Sequence, residues 1–130
     1  MKVYLRNDEL NYAPIVEAEV LNPLRTQSIN LAFIVDTGFQ GGVLLPLKAY
    51  LMLQLHLMEE GKAVGKLASG AEAELRVSRA AVKLDCWEVE CKAYTTVGVR
   101  RPLLGREVLK ETGLLYEPPL KLQLLKLFTQ

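Results

Sequence analysis

The sequence predicts a mostly β single domain with one or two short helices. Two observations carry this: apolar and polar residues alternate with a period of two through most of the chain, and only two segments read as short helices, the second stopped by a glycine. A third bounds it. A chain of 130 residues, half of them hydrophobic, is one domain by length and buries enough surface to fold around its own core.

The elements follow in order. "PIVEAEV", Pro14 to Val20, alternates through Ile15, Glu17 and Glu19 and is expected to be a strand, with Asn22-Pro23 as the turn after it. "SINLAFIVD", Ser28 to Asp36, is an apolar run rich in β-branched residues, the pattern of a strand buried on both faces. Pro46 sits where a helix can begin, and the strong helix formers from Leu47 meet no Pro or Gly before Gly61, so a short helix is expected there. Alternation then resumes from Lys62 to Val97, with Ser69-Gly70 and the neighbourhood of Asp85 to Glu88 as hairpin tips. Leu103, Leu104 and Gly105 precede a second short helix from Arg106 that Gly113 can stop. "PPLKLQLLKLF" alternates as a terminal strand with Lys121, Gln123 and Lys126 facing out.

Composition removes several function classes. The net charge is +1, only Arg100 and Arg101 are adjacent basic residues among the scattered cations, and the aromatic residues form no stacking pattern, so no nucleic acid partner is expected. No apolar run is long enough to span a bilayer and the N-terminus lacks a signal-peptide core, so the expectation is a cytoplasmic protein with no membrane partner. One histidine, His56, and two cysteines, Cys86 and Cys91, do not supply a zinc ligand set, and neither metal nor other cofactor is expected. The cysteines could be cross-strand neighbours around Trp87 and Glu88. Free thiols, buried or half-buried, fit a reducing compartment better than a disulfide.

One stretch needs a reason. In "FIVDTGFQGGVLLP", Phe33 to Pro46, apolar residues flank a carboxylate, a hydroxyl and three glycines. Burying a charge costs several kcal/mol unless something compensates. Taken alone, Asp-Thr-Gly also fits a tight turn in which Asp36 caps local N–H groups and Gly38 takes a positive φ. That reading leaves the Leu-Leu-Gly element about seventy residues downstream unexplained.

Together, "FIVDTGFQGG" and "PLLGREVL" resemble the retropepsin-like aspartic proteases, the one-lobe relatives of pepsin and the retroviral proteases. "DTGFQGGVLLP" is closer still to the DTGF-x-G-x-L-x-LP form of microbial, notably archaeal, predicted aspartyl proteases. The resemblance extends from about Pro14 to Leu125 and implies a closed β-barrel of the acid-protease type.

It also implies a homodimer, because amide hydrolysis in this family uses a water held between two carboxylates and this chain has a single Asp-Thr-Gly. The resemblance makes Asp36 the catalytic residue, with Thr37 and Gly38 supporting its loop. Phe39, Gln40, Ser69 and Gly70 would meet substrate, the last two on a flap hairpin spanning Gly65 to Leu75. Leu103, Leu104 and Gly105 would pack behind the loop.

The chain departs from the family at Phe39, where many relatives have Ala, Ser or Thr, and at Gln40, where retroviral enzymes place an Asp that grips the substrate backbone. The implied function is a homodimeric aspartic endopeptidase acting on peptides or unfolded protein. The alternative is a weak or inactive dimer of the same fold that binds extended peptides.

Overall fold

The computed structural model describes residues 1–9, 11–66 and 70–125. In chain order the elements are β1 (Lys2–Arg6), β2 (Ala13–Leu21), β3 (Ser28–Val35), β4 (Val43–Leu44), α1 (Leu47–Met52), a 3-10 turn (Leu55–Leu57), β5 (Gly61–Lys66) and β6 (Glu72–Leu84). They continue with β7 (Trp87–Thr95), β8 (Leu103–Leu104), α2 (Arg106–Thr112), β9 (Leu115–Glu117) and β10 (Lys121–Gln123). The main sheet runs β1-β2-β3-β8-β4-β7-β6-β5, and β2 also pairs with β6, Val20 opposite Val82, which closes the inner strands into a barrel. Most pairings are antiparallel, whereas β3–β8 and β4–β7 are parallel.

Alternation accounts for the barrel filling. Along β2, Ile15, Ala18 and Val20 are buried while Glu17 and Glu19 stay half-exposed. Phe33, Leu45, Tyr50, Leu84, Leu104 and Leu124 are fully buried in the interior. The strand expected to be buried on both faces is not: in β3 Ser28, Asn30 and Ala32 are exposed, and only Phe33 and Val35 are buried. The reason is that β3 has the barrel interior on one side and no covering layer on the other. An apolar run therefore overstated its burial.

The turn after β2 is where Asn22-Pro23 placed it. Asn22 is fully buried, donates to the Thr26 hydroxyl at 2.8 Å and accepts from the N–H of Thr26 at 2.9 Å, an Asx-type closure. The β6–β7 hairpin turns at Asp85 and Cys86, with Leu84 opposite Trp87 and Asp85 at φ 58°. The cysteines are consequently not cross-strand neighbours: Cys91 faces Ala80, and Cys86 lies in the turn. Both are free, Cys91 buried as expected and Cys86 exposed, because a two-residue tip has no layer above it.

The β5–β6 hairpin closes with Lys66 opposite Glu72, and Gly70 is exposed at φ +88°. Ser69 and its two preceding neighbours lie outside the described residues.

The first helix is shorter than its composition allows. It stops at Leu53, and Gln54 adopts a left-handed φ of 60° with no glycine to permit it. Leu53 and Leu55 are both fully buried. Two residues apart, they would point to nearly opposite sides of a helix, so the chain turns to bury both. The second helix follows its sequence signals, running from Arg106 and ending at Gly113, φ 69°.

At the chain ends, β1 folds back on β2 and β10 pairs with β9. The alternating terminal segment yields only a three-residue strand, with Lys121 exposed and Gln123 half-buried; Lys126 lies outside the described residues.

A polar cluster ties α1 to the barrel. Tyr50 donates to Glu59 Oε2 at 2.8 Å, and Arg76 Nε donates to the same oxygen at 2.7 Å. Desolvation pushes the Glu59 pKa up, but the hydrogen bonds from Arg76 and Tyr50, with the Arg76 charge, outweigh it and hold the carboxyl below its ordinary range. A lowered folded-state pKa contributes stability above the unfolded value of about 4.3 that is lost as pH falls through the folded value. Thermal unfolding should therefore separate wild type from Glu59→Gln at neutral pH, and the two Tm curves should converge on acidification. A gap that stays constant from neutral pH to about pH 2.5 would remove Glu59 from this role.

Candidate active site

Strand β3 ends at Val35 and delivers Asp36 to the rim of the barrel. Its backbone is fixed by β8: the Ile34 N–H donates to the Pro102 carbonyl and the Asp36 N–H to the Leu104 carbonyl, both at 2.9 Å. The carboxylate is half-buried, and its Oδ1 accepts the Gly38 N–H at 2.9 Å. It thus keeps access to solvent and gains a backbone donor, which answers the cost that its apolar flanks suggested.

The tight-turn geometry is half present. Asp36 does cap a local N–H, but Gly38 is not among the glycines with positive φ. A Cβ at position 38 would meet only Asp36 Oδ1, at 3.2 Å. Crowding inside one chain is mild there. Thr37, Gly38 and Gln40 are exposed.

The rest of the loop is clamped from behind. The Gly105 N–H donates to the Gly42 carbonyl at 2.8 Å, the Arg106 N–H to the Phe39 carbonyl at 2.9 Å and the Glu107 N–H to the Gly41 carbonyl at 3.2 Å. The first residues of α2, whose N–H groups have no partner within the helix, thereby satisfy the loop's carbonyls. Glu107 closes the other side by accepting the Lys92 N–H of β7 at 2.9 Å.

Three glycines make room for this contact. A Cβ at Gly105 would lie 2.1 Å from the Gly41 carbonyl oxygen, one at Gly42 would lie 2.4 Å from Cys91 Cβ, and one at Gly41 would lie 2.4 Å from the Tyr94 ring. Leu103 is half-buried and Leu104 fully buried, paired with Ile34 and Val35 on one side and with β4 on the other.

Phe39 turns back against this clamp. Its ring meets the Tyr94 ring edge-on, 5.8 Å between centroids, and packs beside Gly41 and Gly105. Sequence reasoning missed Gly41, Gly42, Tyr94 and Glu107. The first two carried a signal in the "QGG" that follows Phe39; Tyr94 and Glu107 carried none, being ordinary strand and helix residues until the fold brings them together.

Two further groups bear on the chemistry. Burial, and after it the Glu107 charge, pushes the Cys91 thiol up to about 12, so it is no nucleophile at physiological pH. Among the described residues no group of three or more His, Cys, Asp or Glu side chains could hold a metal ion. Ser69 lies outside the described residues, and Gly70 sits at the exposed end of the β5–β6 hairpin.

Comparison with known proteins places this geometry. No family model matches the chain, and no curated protein does. Solved structures similar over most of their length include two retropepsin-type proteases. One is the EIAV protease complexed with the inhibitor HBY-793, with a TM-score of 0.58 and 18% identity, covering 82% of this chain and 93% of that one. The other is a retropepsin-like aspartic protease from Rickettsia conorii, with a TM-score of 0.57 and 13% identity, covering 89% of this chain and 83% of that one. With a closed, mostly β barrel, an Asp-Thr-Gly loop at the end of β3 and a Leu-Leu-Gly element bracing it, this chain has the retropepsin-like aspartic protease fold.

Proposed function

We propose that the protein is a homodimeric aspartic endopeptidase in which the two Asp36 carboxylates, one from each subunit, activate a water to hydrolyse a peptide bond. The observation that carries this reading is a half-buried, solvent-accessible Asp36 on a loop braced by backbone hydrogen bonds, within a fold shared with aspartic proteases. A rigid loop matters because acid–base catalysis needs the carboxylate held within hydrogen-bond reach of its water.

In the dimer one carboxylate is charged and takes the proton from water, while the other is protonated and polarises the carbonyl. Like charges in contact do not both ionise, so the pair shares a proton and titrates as a unit. Thr37, exposed beside Asp36, hydrogen-bonds across the twofold axis, and Gly38 keeps the loop slim where the partner loop and the substrate approach. Phe39 supports the loop from below through Tyr94, and Gln40 faces the substrate. The β5–β6 hairpin, with Gly70 at its end, closes over the bound peptide as a flap. The substrate is a peptide or unfolded protein, and the proposed compartment is the cytoplasm. Among the described residues no helix is long and apolar enough to cross a membrane.

Light scattering at micromolar concentration should give twice the 14.5 kDa chain mass, with cleavage of denatured casein that a hydroxyl-bearing transition-state mimic such as pepstatin blocks. A monomer that still cleaves would refute the shared dyad.

A further inference from the structure

Asp36 is the last residue of a row. Side chains alternate across a strand, so Ala32, Ile34 and Asp36 share the outer face of β3 while Phe33 and Val35 fill the core. Beside that row lies a groove of about 430 Å3, walled by Ala32 and Ile34, by Arg6 at the end of β1 and Asp8 beyond it, and by Arg101 and Pro102 before β8. Ile34 is two residues from Asp36, about 7 Å along the strand, which is also the rise of two residues of an extended peptide.

The two arginines of the groove are held differently. Arg6 donates to Asp8, which is itself part of the wall. Arg101 donates to Glu9 at 3.2 Å, yet the Glu9 side chain is 79% exposed and that of Arg101 is 45% exposed. An ion pair this open to water contributes little. A carboxylate already anchored by the rest of a bound peptide would displace Glu9 at small cost and could accept both arms of the guanidinium. Ala32, Ile34 and Pro102 offer apolar surface to the methylenes of such a side chain.

We propose that this groove is a specificity subsite in which Arg101 selects a glutamate or aspartate side chain one or two residues from the scissile bond. The inference rests on the endopeptidase reading of Asp36, and its test separates the two. Fluorophore-labelled peptides differing only in Glu, Gln or Lys, at each of the two positions either side of the cleaved bond, are titrated against Asp36→Asn protein for binding and given to wild type for cleavage.

The Glu peptide should bind and be cleaved about tenfold better than the Lys peptide at one of these positions. Arg101→Glu should reverse the order, and Glu9→Gln, which unpairs Arg101, should strengthen it. Cleavage without Glu/Lys discrimination, or a discrimination that Arg101→Glu leaves unchanged, would overturn the subsite and spare the endopeptidase. No cleavage at all, with Glu-selective binding that Arg101→Glu still reverses, would do the opposite.

Discussion

Asp36→Asn should abolish peptide cleavage while leaving the protein folded and dimeric. Asparagine keeps the size of the side chain, and its Oδ1 can still accept the Gly38 N–H that lies 2.9 Å from the carboxylate. In the proposed dimer it removes the charge from both halves of the dyad at once, because each subunit carries the same substitution. Loss of a general base alone lowers a rate by roughly 10²- to 10⁴-fold, and here the same groups also hold the water. The Tm should be unchanged or slightly raised, since in the proposed dimer the pair no longer has to share a proton to avoid like-charge repulsion. Casein cleavage by wild type and variant, read beside thermal unfolding and light scattering, decides the matter. If both proteins bind extended peptides equally and neither cleaves them between pH 3 and 8, the fold serves as a peptide-binding module and Asp36 is structural.

Gly105→Ala should be among the most destabilising small substitutions in the chain. Its Cβ would lie 2.1 Å from the Gly41 carbonyl oxygen, 2.6 Å from Phe39 Cδ2 and 2.8 Å from the Phe39 carbonyl oxygen. Two of those atoms are backbone, and moving them would break the bonds they accept from the N–H groups of Glu107 and Arg106, which hold the loop. Overpacking against backbone falls at the upper end of its usual cost, about 3 kcal/mol, or a fall in Tm of about 10 °C for a domain of this size. Gly70→Ala is the internal control. It carries the strain of φ +88° but has nothing within 4 Å, so its cost should be about 1 kcal/mol. Equal losses in the two variants would mean that the close contact behind the loop is not what requires glycine at 105.

Much of the architecture is legible along the chain because its causes are local. Alternation marks β2, β6 and β7, Asn22-Pro23 marks a turn, and Gly113 marks the end of α2. Where a signal is ambiguous, the tertiary structure decides. The run from Ser28 reads as buried throughout, yet β3 has one open face, since hydrophobicity reports what a strand can bury and not whether a second layer exists to bury it. Helix formers continue past Leu53, but the chain spends a left-handed residue at Gln54 to bury leucines on both sides of it.

By itself the sequence determined that a carboxylate ends an apolar strand, that glycines follow it and that a second glycine element lies far downstream. These are properties of residue type and spacing. Only the tertiary structure decided that the second element braces the first, that the Phe39 ring turns onto Tyr94, that Glu107 accepts from Lys92, and that Arg101 stands beside the row leading to Asp36. Each joins residues more than ten positions apart, and their partners are fixed by the crossing of β8 between β3 and β4, a pairing that no local pattern of side chains encodes.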